Sequence, residues 1–202
     1  RVISEMHMSE VQIAYGMTET SPVSLQTGPS DDLELRVTTV GRTQPQLEST
    51  IIDEAGNLVP RGTIVELCTR GYSVMLGYWN NPEGTAEAID QAGWMHTGDL
   101  ASMNDEGYVC IAGRNKDMII RGGENIYPRE LEEFFFTHPA VADVQVIGIP
   151  CSRYGEEIVA WIKFHPGHSA TEQELQAWCK ERIAHFKTPR YFKFVEEFPM
   201  TV

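Results

Sequence analysis

The chain has 202 residues, of which 42% are hydrophobic and 22% are charged, and its formal net charge is −13. This composition is that of an ordinary globular protein and excludes an intrinsically disordered chain, while the length allows one or two domains. Residues 1–113 carry 5 Arg, no Lys and 16 acidic residues, whereas residues 114–202 carry 11 basic and 13 acidic residues. The acidic first part argues against a broad nucleic-acid surface, so we expect no nucleic-acid partner.

No apolar run approaches the ~20 residues that a membrane-spanning helix needs, so we expect no transmembrane segment. The sequence also shows no targeting segment. Its four cysteines lie far apart, without a Cys-x-x-Cys pair or a nearby His at metal-ligand spacing, which argues against a zinc site. Cys68 and Cys110 fall within predicted strands, where buried and reduced thiols are expected.

Short strands separated by Gly, Pro and Asn turns are predicted for the first part of the chain. A strand at 11–14 leads into the turn Tyr15-Gly16-Met17-Thr18-Glu19. Further strands are predicted at 48–53, 63–69, 99–102 and 108–112. We predict that these strands form a small, distorted β-barrel.

After Arg114 the pattern changes to alternating strands and helices. A strand at 118–120 is followed by a helix that begins at Pro128, since proline is favoured in the first helical turn, and then by strands at 144–149 and 158–164. Thr171 and Glu174 form a capping box. The apolar residues Leu175, Trp178, Cys179 and Ile183 follow at helical spacing. The predicted fold class is therefore α+β, with a boundary close to Arg114.

Three motifs occur in a fixed order along the chain. They are the Tyr-Gly-x-Thr-Glu turn at 15–19, a Glu-Leu pair followed by Gly-Tyr-Trp-Asn within 66–80, and the block GWMHTGDLASMNDEGYVCIAGRNKDMIIRGGENIYPRE starting at Gly93. In this order they resemble the adenylate-forming enzymes, the superfamily of acyl-CoA synthetases, luciferases and peptide-synthetase adenylation domains. Val65 stands where that family usually has Gly, and a β-branched residue suits the predicted strand. The resemblance implies activation of a carboxylic acid by ATP.

The resemblance assigns the turn at 15–19 to the ATP site. It implies that Tyr15 lies against the adenine ring beside Gly16, that the Thr18 hydroxyl bonds the α-phosphate and that Glu19 holds Mg²⁺. A carboxylate beside phosphates suits the oxygen coordination of that ion. Without the resemblance, the same residues would describe a strand that ends in a glycine turn.

The resemblance also assigns roles to four residues of the long block. Asp99 corresponds to the carboxylate that accepts hydrogen bonds from the ribose hydroxyls, and Arg114 offers donors to ribose or phosphate. A turn-forming Asp and a surface ion pair are the alternatives for these two. Lys116 matches the hinge about which the family's lid domain swings. Gly123 matches the glycine that the pantetheine arm of coenzyme A passes, and a plain β-turn is its alternative.

The motifs RGGENIYPRE and GYWNNPEGT most resemble those of the medium-chain fatty acyl-CoA synthetases of mitochondrial type. This resemblance implies a ligase that converts a fatty acid, ATP and coenzyme A to acyl-CoA, AMP and pyrophosphate through an acyl-adenylate, with Mg²⁺. It also implies the mitochondrial matrix as location, or otherwise the cytoplasm.

Family members carry a phosphate-binding loop before the Tyr-Gly-x-Thr-Glu turn and a catalytic Lys in a Thr-Gly-Lys segment, and these 202 residues contain neither. We therefore expect the C-terminal part of a longer enzyme that is inactive by itself. Residues 1–115 would belong to the large AMP-binding domain and 116–202 to the mobile lid. Two alternatives stay open: a module that transfers acyl groups to a carrier protein, and a non-catalytic nucleotide-binding or interaction module.

Overall fold

The computed structural model describes residues 2–180 and 182–199. The chain divides into two compact units, Arg1–Asn115 and Lys116–Val202. Both units combine helices with sheets, which confirms the predicted α+β class. Among the helices of the described residues, none has the length and apolar character needed to cross a membrane.

The first unit contains two antiparallel sheets. Three short strands form one sheet in the order β1-β2-β3: β1 (Ala14–Gly16), β2 (Val23–Gln26) and β3 (Arg42–Thr43). Four strands form a meander in the order β4-β5-β6-β7: β4 (Leu47–Ile52), β5 (Val65–Gly71), β6 (Met95–Met103) and β7 (Val109–Arg114). The helices of this unit are short: α1 (Val2–Glu5), α2 (Leu33–Thr38) and α3 (Pro82–Ala88).

The predicted small barrel is not confirmed, because the described strands of this unit form open sheets. Strands β4 and β7 are the two edges of the meander and do not pair with each other. Strand β3 has only two residues, so it cannot extend a ladder around a barrel. Hydrogen bonds of 2.8 and 3.0 Å join Val109 to Val40 and Gly41, but they link single residues rather than strands.

The core of the first unit lies between the inward faces of its strands. Its buried apolar residues are Leu25, Ile51, Leu67, Ala101, Met103 and Val109. Burial of a side chain such as that of Leu67 contributes roughly 1.5–3 kcal/mol. The expectation of a buried thiol is confirmed for Cys68 and wrong for Cys110, which is exposed. Since successive side chains of a strand point to opposite faces, the neighbour of the buried Val109 on β7 faces solvent.

The second unit is built on a single five-stranded sheet. Strands β8 (Ile119–Arg121), β9 (Glu124–Ile126), β10 (Val141–Cys151) and β11 (Gly155–Phe164) follow the order β10-β11-β8-β9, and β12 (Tyr191–Phe194) pairs with β11 in parallel. Two helices, α4 (Pro128–Phe136) and α5 (Glu172–Cys179), complete the unit.

The two helices begin where the sequence predicts them to begin. Helix α4 starts at Pro128 and buries Leu131 and Phe135, which lie one turn apart on the same face. Helix α5 has the predicted capping box, in which Thr171 N donates to Glu174 Oε2 at 2.7 Å and Glu174 N donates to Thr171 Oγ1 at 3.2 Å. This helix ends at Cys179, so the helical position predicted for Ile183 is wrong, although its side chain still packs against the core.

Candidate nucleotide-binding site

The segment Thr97-Gly98-Asp99 interrupts the pairing of β5 with β6. Its three residues lie opposite the single residue Leu67, where the ladder shifts its register. Gly98 has a φ of +70°, in the left-handed region that favours glycine. Thr97 Oγ1 donates to Leu67 O at 2.7 Å, and Gly98 N donates to Glu66 Oε1 at 3.0 Å. These bonds fix the bulge, and the bulge moves Asp99 out of the regular ladder with β5.

Asp99 meets two of the other predicted site residues. Tyr15 Oη donates to Asp99 Oδ2 at 2.5 Å, although the two residues lie 84 positions apart. Arg114 stands opposite Asp99 in the pairing of β6 with β7, and its Nε lies 3.3 Å from Asp99 Oδ1. Burial raises the pKa of Tyr15, and the hydrogen bond to Asp99 acts in the same direction. The phenol is therefore a protonated donor, and the carboxylate is held at both of its oxygens.

The ion pair that was the alternative interpretation of Arg114 does form, and its partner is Asp99. The Asp99 side chain is 14% exposed and that of Arg114 is 61% exposed. A carboxylate has about four lone-pair positions, so an Asp99 that accepts from two groups can still accept from ribose hydroxyls. The Arg114 guanidinium has further N–H groups toward solvent. The geometry fits a nucleotide as well as it fits a structural ion pair.

The turn that follows β1 presents Thr18 and Glu19 at the surface. Gly16 is required there, because a Cβ at this position would lie 1.6 Å from Pro22 O. One turn of 3-10 helix follows at Thr18–Thr20. The buried Thr20 hydroxyl lies 3.1 Å from Pro22 O and secures the turn from inside. The Thr18 side chain remains exposed, so its hydroxyl is accessible to a ligand.

The carboxylate of Glu19 is oriented by a tyrosine. Tyr78 Oη donates to Glu19 Oε1 at 2.8 Å, and this hydrogen bond raises the pKa of Tyr78. Within residues 2–180 and 182–199 no hydrogen bond is made to Glu19 Oε2. A partly exposed carboxylate with one oxygen available fits Mg²⁺, which usually takes one or two protein carboxylates and fills its remaining positions with water and phosphate oxygens.

The second unit contains the other two predicted site residues. Lys116 is exposed in the 3-10 turn Asn115–Asp117, at the start of this unit. Gly122 and Gly123 form the two-residue turn between β8 and β9, with φ of +64° and +89°. Hairpin turns of this length favour residues with positive φ at both positions. The backbone alone therefore accounts for both glycines, and the contact of Gly123 with coenzyme A stays a prediction.

Models of two protein families match this chain. The model described as "AMP-binding enzyme" matches residues 2–79, and that described as "AMP-binding enzyme C-terminal domain" matches residues 130–202. The chain belongs to the AMP-binding enzymes. The resemblance to the adenylate-forming superfamily, inferred from the motifs, is thereby confirmed.

Among curated proteins, the chain is similar to the human protein named "Medium-chain acyl-CoA ligase ACSF2, mitochondrial". The two are 50% identical over 202 residues, which is 100% of this chain and 33% of the human protein. The chain thus spans about a third of the length of the curated relatives it matches.

Solved structures of adenylate-forming enzymes share the fold. ATP-bound MatB from Rhodopseudomonas palustris is 35% identical with a TM-score of 0.89, over 95% of this chain and 38% of that one. The o-succinylbenzoate coenzyme A synthetase MenE from Bacillus subtilis, in complex with ATP and magnesium ion, is 32% identical with a TM-score of 0.83, over 94% and 38%.

Two supporting residues of the site are not predicted by the sequence analysis. Tyr78 lies in the Gly-Tyr-Trp-Asn motif, which carries the resemblance, but nothing in its sequence position shows that its hydroxyl reaches Glu19. Glu66 belongs to the Glu-Leu pair, and its bond to Gly98 N depends on the bulge in β6. Both contacts join residues more than 30 positions apart, so only the three-dimensional fold reveals them.

Proposed function

We propose that the full-length protein is an AMP-forming fatty acyl-CoA ligase of medium-chain specificity that acts in mitochondria. The observation that carries this proposal is the contact of Tyr15 and Arg114 with the two carboxylate oxygens of Asp99. This contact brings together the first family motif, the turn at 15–19, and the third, the block that starts at Gly93. The human relative is named as a mitochondrial medium-chain acyl-CoA ligase, which supports the medium chain length and the mitochondrion.

In this proposal, the residues of the first unit hold and orient ATP. Asp99 accepts hydrogen bonds from the ribose hydroxyls, while Tyr15 and Arg114 hold its carboxylate in place. Thr18 donates to an oxygen of the α-phosphate, where charge develops as the fatty-acid carboxylate attacks. Glu19 supplies an oxygen ligand, and the bound Mg²⁺ neutralises charge on the phosphates. The attack forms an acyl-adenylate and releases pyrophosphate, and the thiol of coenzyme A then displaces AMP.

The second unit is proposed to be the mobile lid, with Lys116 as its hinge. The division of the chain between Asn115 and Lys116 supports this assignment. Adenylation and thioester formation require different groups at one active site, which a rotation about a short exposed turn can supply. We propose further that the Gly122-Gly123 turn lets the pantetheine arm pass close to the backbone, since neither glycine places a side chain there.

The test uses the full-length protein with octanoate, ATP, Mg²⁺ and coenzyme A. Mass spectrometry should show octanoyl-CoA, and AMP should appear in equal amount. A parallel reaction replaces coenzyme A by a carrier protein that bears phosphopantetheine. Thioester on the carrier and none on coenzyme A would assign the protein to the carrier-dependent modules. If ATP binds but no acyl-adenylate or thioester forms, the non-catalytic alternative is correct.

A further inference from the structure

Strands β5 and β6 bring three metal-ligating side chains together. Glu66 and Cys68 are two residues apart on β5, so they share one face of the sheet, and His96 on β6 pairs directly with Cys68. One ligand atom from each side chain can be chosen so that all three lie within 4.8 Å of one another. The spacing in the sequence argued against a zinc site, but Cys68 and His96 are 28 residues apart and meet only through strand pairing.

The distances suit a shared ion. His96 Nδ1 lies 2.8 Å from Glu66 Oε2 and 3.7 Å from Cys68 Sγ. Zinc binds nitrogen, oxygen and sulfur ligands at roughly 2.0–2.3 Å, which places neighbouring ligand atoms of a tetrahedron ~3.3–3.8 Å apart. The 3.7 Å separation lies within this interval, and Glu66 Oε2 and His96 Nδ1 must move apart by ~0.5 Å from their hydrogen-bond distance to seat an ion.

Two of the three proposed ligands, His96 and Glu66, contact a further residue that orients their side chains. Asp90 Oδ2 lies 3.9 Å from His96 Nε2, and Gly98 N donates to Glu66 Oε1 at 3.0 Å. In the metal-free chain the 2.8 Å contact with Glu66 Oε2 requires a proton on Nδ1, and Asp90 is placed to accept from Nε2–H once Nδ1 binds a metal. Metal-binding histidines in proteins commonly have such a carboxylate behind them. The Gly98 bond likewise turns Glu66 Oε2 toward the other two ligands.

Charge and access also suit a cation. The carboxylates of Glu66 and Asp90 lie 2.8 and 3.9 Å from the two ring nitrogens of His96 and place negative charge at the site. A divalent cation would neutralise this negative charge. Glu66, Asp90 and His96 line a cavity of about 640 Å³, which also contains the acidic side chains of Asp53 and Glu54. An ion can therefore reach Glu66 and His96 from the cavity, and the buried Cys68 Sγ lies 3.7 Å from His96 Nδ1.

We propose that Glu66 Oε2, Cys68 Sγ and His96 Nδ1 form a three-ligand site for a divalent transition-metal ion of the zinc class. Three protein ligands leave a fourth position, which would be open to the cavity. When the ion binds, the thiol proton and the Nδ1 proton of His96 pass to solvent, the neutral imidazole carries its proton on Nε2, and metal–ligand bonds replace the hydrogen bond between Glu66 and His96. A thiolate with an imidazole favours zinc-like ions over Mg²⁺. The site is thus chemically different from the oxygen site proposed at Glu19.

The test is a titration of the 202-residue chain with Co²⁺, followed by displacement with Zn²⁺. Co²⁺ should produce a thiolate-to-cobalt charge-transfer band that saturates at one ion per chain, and Zn²⁺ should abolish it. Cys68→Ala should remove the band, whereas the matched variant Cys110→Ala should retain it, because that thiol is exposed on β7. Glu66→Gln should keep the band but weaken binding by at least ~10-fold, equivalent to ~1.4 kcal/mol.

Circular dichroism shows whether each variant is folded, and one measurement needs no variant. Zinc X-ray absorption of the wild-type chain loaded with one equivalent of Zn²⁺ should show one sulfur ligand, with nitrogen and oxygen filling the other positions. A shell without sulfur would overturn the proposal, as would a cobalt band that survives Cys68→Ala. If no charge-transfer band forms at any Co²⁺ concentration, Glu66 and His96 are only an ion pair.

Discussion

Replacement of Asp99 by Ala separates the role of this residue in ATP use from its role in stability. In the proposed complex the variant loses hydrogen bonds from the ribose, each worth ~1.5–3 kcal/mol because the acceptor is charged. At ~1.4 kcal/mol per factor of ten, loss of a single such bond lowers kcat/KM for ATP by roughly 10- to 100-fold. The KM for the fatty acid should change much less.

The same variant also affects folding, and the structure shows which contact dominates. The ion pair with Arg114 involves a side chain that is 61% exposed, so its loss costs about 0–1 kcal/mol. The half-buried Tyr15 hydroxyl loses its acceptor, which costs about 1–3 kcal/mol. The free energy of unfolding of the 202-residue chain should therefore fall by an amount set mainly by Tyr15, and Tyr15→Phe in combination with Asp99→Ala should recover part of it.

The assay is steady-state kinetics of the full-length protein with varied ATP, together with urea unfolding of the chain. Asp105→Ala is the matched control, because Asp105 is an exposed acid in the turn between β6 and β7. It should leave both the kinetics and the stability unchanged. If Asp99→Ala has an unchanged KM for ATP and an unchanged kcat, Asp99 is only a turn residue and the proposed site is wrong.

Three further predictions concern other parts of the chain. Tyr78→Phe should raise the Mg²⁺ concentration for half-maximal activity of the full-length protein, because Glu19 loses its orienting hydrogen bond; an unchanged Mg²⁺ dependence would contradict this. Lys116→Pro, which fixes φ near −65°, should preserve pyrophosphate exchange and suppress acyl-CoA formation, whereas equal loss of both would argue against a hinge. Burial raises the pKa of Glu132, so the stability contributed by its protonated form is lost as pH rises through that pKa. Urea unfolding should show Glu132→Gln gaining stability relative to wild type as pH rises above the ordinary glutamate pKa of 4.5, while Glu133→Gln, at an exposed position, should show no such gain.

Local signals in the sequence predict where the two helices of the second unit begin, but strands β9 and β12 are not predicted. Pro128 begins α4, and Thr171 with Glu174 caps α5, because both signals act through the backbone of the same helical turn. The end of α5 is predicted less well. Apolar spacing continues to Ile183, yet the helix stops at Cys179, since a partly buried residue can join the core from outside a helix.

Motif resemblance predicts Tyr15, Asp99 and Arg114 as site residues, but not their contact. Near the turn between β6 and β7, Met103 pairs with Val109 and Ser102 with Cys110. If this register continued without interruption along the two strands, Gly113 would lie opposite Asp99. The ladder shifts between Leu100 and Ala101, and Arg114 takes that place instead. A bulge of one residue cannot be deduced from alternation alone, and it changes which side chain meets the carboxylate.

Irregularities on both sides of β6 thus determine both sites of the first unit. Toward β7, the shift aligns Arg114 with Asp99; toward β5, the bulge at 97–99 lifts Asp99 out of the ladder and leaves His96 opposite Cys68. The bond from Gly98 N to Glu66 Oε1 connects the two, since it joins the bulge that carries Asp99 to a proposed ligand of the metal ion. If Glu66 moves to bind an ion, the bond that holds this bulge is the first contact to change. ATP use and metal binding should therefore be linked through Gly98, and the linkage should disappear in Glu66→Ala.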